Sequence, residues 1–241
     1  MSLFSFFGGC SSSAIGLDFE NTTRKVIDIA PHHRLEYEMP KGMSELAGFA
    51  EKYQRSANSL KVDLSGPLPF ELDDWRTAHV LDVGLWTYFR TTKKKESDET
   101  ASLSLRIEID KYPSTENSIP DWLAHSYEAF MNGPDGLNTK IRNEFPGQTD
   151  EELGEWIAQM PRRFDTISFN NVDYIQWQTF GEAQGKHLHY FTHKLAEDHL
   201  LTFRFRYSLS AQSEAEANLL TDLIISDIEK IMGSVFLVKY D

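Results

Sequence analysis

The stretch LTFRFRYSLS at residues 201–210, followed by SEAEANLLTDLIISDIEKIMGS at residues 213–234, decides the fold. In the first, Leu201, Phe203, Phe205, Tyr207 and Leu209 alternate with Thr202, Arg204, Arg206 and Ser208, the period of two that a strand shows when one face is core and the other wet. In the second, Ser213 and Glu216 make a capping box ahead of Leu219, Leu220, Leu223, Ile224, Ile228 and Ile231, spaced to form one face of a helix. Asp227 alone breaks that stripe, and Gly233 supplies the stop. Val235 to Val238 then reads as a short strand returning to the sheet that the helix covers.

Working back toward the N-terminus, Leu188, Tyr190 and Thr192 alternate with His187, His189, Phe191 and His193, and a short connection at Ala196 to His199 joins this strand to the next as a hairpin. Asp173 to Phe180 is an earlier strand, entered from Thr166 to Phe169 through Asn170-Asn171, residues that tolerate the positive φ of a tight turn. The last third is therefore an antiparallel meander. Thr149 and Glu152 form a second capping box before Leu153, Trp156, Ile157 and Met160, with Pro161 as the stop. Ser118 to Asn132 is a helix with Pro120 in its first turn, turning Trp122, Leu123, Tyr127, Phe130 and Met131 inward, and a Pro/Gly linker separates the two.

Ala78 to Tyr112 is the longest hairpin candidate, its second strand alternating Leu103, Leu105, Ile107 and Ile109 with Ser104, Arg106, Glu108 and Asp110. Upstream lie short strands at Lys25 to Ile29 and Leu35 to Met39, a helix capped by Ser44 that runs through Tyr53, and an extended segment at Leu60 to Leu64. The economical reading is one α+β domain over residues 25–241, an antiparallel sheet of about six or more strands with helices packed on it, preceded by a flexible arm at residues 1–24.

Composition narrows the function. Thirty-seven acidic against twenty-four basic residues give a formal charge of −13, which disfavours nucleic acid and anionic membranes as general partners. The one dense basic run, Arg90 with Lys93, Lys94 and Lys95, is followed by Glu96, Asp98 and Glu99 and reads as a solvated hairpin tip. No apolar run approaches the ~20 residues of a bilayer-crossing helix. Cys10 is the sole cysteine, so no internal disulfide forms, which fits a reducing, cytoplasmic location. Its setting, Phe6-Phe7-Gly8-Gly9-Cys10 followed by serines, also looks like the end of a bacterial lipoprotein signal, although no Lys or Arg precedes it and the apolar segment is short. A periplasmic lipoprotein anchored through Cys10 is thus the alternative location.

The order hairpin, helix, meander, long capped helix, terminal strand is similar to the PsbP-like fold, an α/β/α sandwich shared with the Ran-binding Mog family and with bacterial proteins of unknown function. The match runs over residues 78–238, carried by Phe169-Asn170-Asn171-Val172-Asp173-Tyr174, by the strand from Leu201 to Ser208, and by the helix with its Gly233-Ser234 end. Among bacterial members the layout resembles the effector-associated adaptors of type VI secretion. That resemblance implies a cytoplasmic, non-enzymatic chaperone that holds an apolar segment of a secreted effector, and it implies no cofactor.

The residues themselves offer few alternatives. His187, His189 and His193 lie on one side of a strand, and a His-x-His pair can give zinc two ligands. Alternate side chains on a strand sit ~6.5–7 Å apart, so only His187 and His189 could share a metal, and a third ligand would have to come from elsewhere. A zinc-dependent enzyme on these two histidines is one alternative. The favoured reading places them on a wet sheet face with Gln176, Gln178, Arg204 and Arg206, edged by Phe191, as a protein-binding surface. No Gly-x-Ser-x-Gly elbow, phosphate loop or dinucleotide fingerprint is present, which removes the usual hydrolase and nucleotide-enzyme readings. Pairing of edge strands leaves a homo-oligomer open.

Overall fold

A computed structural model describes residues 14–41, 59–66, 68, 71–73, 76–90, 99–113, 115, 118–181 and 186–240. Among the described residues eleven strands form two sheets: β1 (Asp18–Ala30), β2 (His33–Lys41), β3 (Ser59–Asp63), β4 (Glu71–Asp73), β5 (Arg76–Phe89), β6 (Glu99–Lys111), β7 (Asp165–Phe169), β8 (Val172–Gly181), β9 (Lys186–Ala196), β10 (His199–Leu209) and β11 (Phe236–Lys239). The larger sheet runs β4-β5-β6-β10-β9-β8-β7 and is antiparallel throughout; the smaller runs β11-β2-β1-β3, with β3 parallel to β1. Between β6 and β7 lie α1 (Ile119–Asn132), α2 (Leu137–Glu144), the single turn α3 (Asp150–Leu153) and a 3-10 turn at Gly154–Trp156; α4 (Glu214–Gly233) precedes β11.

The local signals explain these elements. Ser118 caps α1 by accepting from the Asp121 N–H, Thr149 and Glu152 make the reciprocal capping box of α3, and Ser213 accepts from the Glu216 N–H at the start of α4. Asn170 and Asn171 sit at φ 49° and 64°, so the β7–β8 hairpin closes in two residues with Phe169 opposite Val172. The Asn170 side chain then donates to the carbonyls of Gly233 (2.9 Å) and Val235 (2.7 Å), tying this turn to the end of α4. The helix expected through Met160 stops after one turn plus the 3-10 turn, because Gly154 takes φ 53° and ends the α geometry; Trp156 is left 57% exposed. The linker ahead of it holds the additional helix α2.

Both faces of the large sheet are covered, which corrects the expectation of one wet face. On one side Leu103, Leu105, Ile107, Phe203 and Phe205 pack with Leu220, Ile224, Ile228 and Ile231 of α4 and with Ile27, Ile29, Leu35 and Tyr37 of the small sheet. On the other, Leu123, Tyr127 and Met131 of α1 pack on Trp177, Leu188 and Tyr190, while Phe130 stays 38% exposed at the rim. Each buried Leu or Phe contributes about 1.5–3 kcal/mol, so the doubly covered centre is where most of the stability resides. Hydrogen bonds join the sheets: the Tyr37 hydroxyl donates to Asp82 at 2.6 Å, and the Trp86 indole to the Pro40 carbonyl at 3.0 Å.

Two further expectations change. Residues 18–24, read as the end of an arm, form the first half of β1, where Thr22 to Arg24 pair with Glu38 to Pro40. The terminal strand does not return to the meander; Phe236 to Lys239 pair with His33 to Glu36 at the edge of the small sheet. Asp227, the break in the α4 stripe, is 1% exposed and accepts from the Leu17 N–H (3.0 Å), the Tyr88 hydroxyl (3.2 Å) and Lys230 (3.0 Å), so it holds the lead-in to β1 against the helix. Cys10, Lys93 to Lys95 and the Ser44 to Tyr53 helix lie outside the described residues. Arg90, at the base of the hairpin tip, pairs with Glu216 at 2.9 Å.

Candidate functional site

Direct partners in an antiparallel pair point to the same face. His187 lies opposite Tyr207, His189 opposite Phe205, Phe191 opposite Phe203 and His193 opposite Leu201, so the histidines share the face of the α4 core. Gln176 and Gln178, opposite Phe191 and His189, are on that face too. Arg204 and Arg206 lie on the opposite face, where the Arg204 guanidinium approaches the buried Glu108 at 3.8 Å and Arg206 is exposed. The expected single row is thus split between two faces. Phe191 is 2% exposed and packs edge-on against Phe169 and Phe205, a core residue instead of a docking one. The His193 ring nitrogen Nδ1 is 2.8 Å from the Asp173 carbonyl oxygen, away from the other two histidines.

Four of the eight residues do come together, at an irregularity in the sheet edge. β7 pairs with β8 through Phe169↔Val172, Ile167↔Tyr174 and Asp165↔Gln176, then ends. The chain meets β8 again at Gln159, whose N–H donates to the Phe180 carbonyl at 2.7 Å. Residues 160–164 therefore run opposite only Trp177 to Thr179, so five residues face three and the segment bows outward. Pro161 within it has no N–H to offer the ladder. Gly181 makes the near end possible: at φ 101° it lies so close to the wall that a Cβ would stand 2.2 Å from the Ile157 carbonyl oxygen.

The result is a groove of about 630 Å³ whose lining includes Gln176, Gln178, His187 and His189 on one side and Gln159, Met160, Arg162 and Arg163 on the other. His189 is 5% exposed, and burial, with neighbouring His187 adding to it, pushes its imidazole down to about 4; at neutral pH it is an uncharged ring with one donor and one acceptor. His187 stacks on Tyr207 (centroids 4.6 Å, planes 3° apart) and touches Phe180 at 4.6 Å, which fixes its ring. The hydroxyl of Thr179, 5% exposed in the same lining, has no hydrogen-bond partner among the described residues. Arg163 is held by Asp165 at 2.6 Å, and Arg162 is exposed. Trp177 is stacked on Tyr190 (3.8 Å, 5°) and forms a rigid floor.

This arrangement can recognise; its chemistry is that of neutral donors and acceptors with a cationic rim. Among the described residues no group of three or more His, Cys, Asp or Glu comes together in a metal-holding arrangement, so His187 and His189 find no third ligand there. No helix among the described residues is long and apolar enough to cross a membrane. Sequence reasoning missed Gln159, Met160, Arg162, Arg163 and Thr179. The available signal was the Pro161-Arg162-Arg163 run between a helix stop and an edge strand, which marks where the ladder breaks.

No protein-family model matches the chain, and no curated protein does. Among solved structures it is similar to the Ran-binding protein Mog1p of Saccharomyces cerevisiae, with 9% identity over 90% of this chain and 96% of that one, at a TM-score of 0.37. It is also similar to LpqN, involved in cell envelope biogenesis of Mycobacterium tuberculosis, with 7% identity over 68% of this chain and 85% of that one, at a TM-score of 0.32. Likenesses of this size are distant and carry no functional argument.

Proposed function

We propose that this chain is a non-enzymatic adaptor or chaperone that binds a segment of a partner protein in the groove at the edge of β8. The observation that carries the reading is the interrupted ladder: a sheet edge left open by the outward bow of residues 160–164, lined by polar groups where the same face elsewhere carries Phe and Leu. An open sheet edge offers main-chain hydrogen bonds to a polypeptide, and the side chains around it supply selectivity. A secreted effector is the partner that the type VI adaptor resemblance suggests.

Site-specific photo-crosslinking tests this. A crosslinker replacing Gln178, with the same crosslinker at exposed Asp222 on α4 as the control, is expected to trap one defined protein from the native host at position 178 alone. Equal trapping at both positions, or none at 178, overturns it.

A further inference from the structure

We infer that the groove receives the C-terminal end of a partner polypeptide, not an internal strand; this rests on the protein-binding reading above. The hydrogen-bond parity of β8 is fixed at both ends of the gap. Val172, Tyr174 and Gln176 turn their main-chain groups toward β7, and the bond from the Gln159 N–H to the Phe180 carbonyl shows that Phe180 does the same. Gln178, between them, therefore turns its N–H and C=O to the same edge, where 160–164 have bowed away and, among the described residues, no backbone partner meets it.

The opening is a single rung. An extended segment passing through it would run into Asp165 at one end and Gln159 at the other, since residues 176 and 180 are only about 13 Å apart along a strand. A chain end needs no exit. Its last N–H can donate to the Gln178 carbonyl, and one carboxylate oxygen can accept from the Gln178 N–H. The second oxygen then points toward the Asp165 end of the gap, where the Asp165 carboxylate is already paired with Arg163 at 2.6 Å and the lining also carries Arg162, an exposed cation in a chain whose formal charge is −13. The neutral His189 ring, which pairs with Gln178 and so shares the face on which the terminal side chain would lie, offers that side chain a hydrogen bond. The cationic rim is what distinguishes a chain end from a neutral amide ligand.

The test uses the full chain and two matched libraries of N-acetylated tetrapeptides, one ending in free carboxylates and one in carboxamides. Binding is read by fluorescence competition and by the amide resonances of ¹⁵N-labelled protein. Free acids are expected to bind at least tenfold tighter than the matching amides and to shift the Gln178 N–H resonance. Arg162→Gln is expected to erase that preference, and Gln178→Pro, which deletes the rung's N–H, to abolish binding, while Gln178→Ala, which keeps it, retains binding within about threefold. Thermal melts of all three variants monitor folding. Equal affinity for acids and amides, an unmoved Gln178 resonance, or an acid preference that survives Arg162→Gln overturns the proposal. If neither library binds while a protein still crosslinks at position 178, the chain-end inference falls and the adaptor reading stands; if both fail, both fall.

Discussion

Compare β10 with the outer half of β8. In β10 the seven residues from His199 to Phe205 are all buried and each paired on both sides, with Leu201, Phe203 and Phe205 in the core beneath α4. In β8, from Gln176 to Phe180, one edge is half unpaired, two glutamines take positions whose equivalents on β10 are Phe203 and Phe205, and the side chains line an open groove. The same sheet serves as core at its centre and as a receptor at its edge. What separates the two is coverage: polar residues on a core-facing register are tolerated where no helix seals them and solvent or a ligand can supply hydrogen bonds.

Three measurements test that contrast. The largest effect belongs to the centre: Phe203→Ala is expected to cost about 3–5 kcal/mol, because a fully buried ring shared by α4 and both sheets leaves a cavity that the rigid surroundings cannot close. Urea unfolding reads it directly, and a loss under 1 kcal/mol would mean that the centre is not packed as described.

Next comes acid. The folded-state value of His189 lies at about 4, below the ordinary 6.5, so as pH falls the unfolded chain takes up this proton first. Its contribution is therefore complete above pH 6.5, declines between 6.5 and 4, and falls no further below that, for a total on the order of 3 kcal/mol. The difference in urea midpoint between the parent and His189→Gln, followed from pH 7 to pH 4, isolates this group; a pH-independent difference contradicts its burial as a neutral ring.

The smallest effect is at the edge. Gln176→Leu is expected to change stability by less than about 1 kcal/mol in either direction, since the half-buried amide belongs to the groove rather than to the packed centre. Partner crosslinking at position 178 is expected to drop in the same variant. A stability loss above 2 kcal/mol would place Gln176 in the core and remove the contrast.

The reading of the sequence succeeded where one local rule decides. The caps at Thr149 and Ser213 satisfy backbone N–H groups within a few residues of themselves, and Asn170 and Asn171 take the positive φ of their turn from their own backbone preference. It failed on β9 because alternation tells which residues share a face and not which face is covered. Leu188 and Tyr190 looked like the buried set and are buried, under α1; His189 and Phe191 are buried as well, under the other layer. The small sheet escaped because β1 pairs with β3 in parallel and β11 crosses back to β2, choices of partner that neither strand's own pattern carries. Half of the site was legible as polar residues on β8 and β9. The wall from Gln159 to Arg163 was not, since it lines the groove by bowing out of the ladder.

Gly181 never needs to touch a ligand, yet it sets the aperture. Any side chain there would press on the Ile157 carbonyl oxygen and lift the whole wall that begins at Gln159. A methyl group at position 181 thus acts like a shim under a hinge plate: it changes the fit of every ligand at once, without altering a single group that a ligand meets.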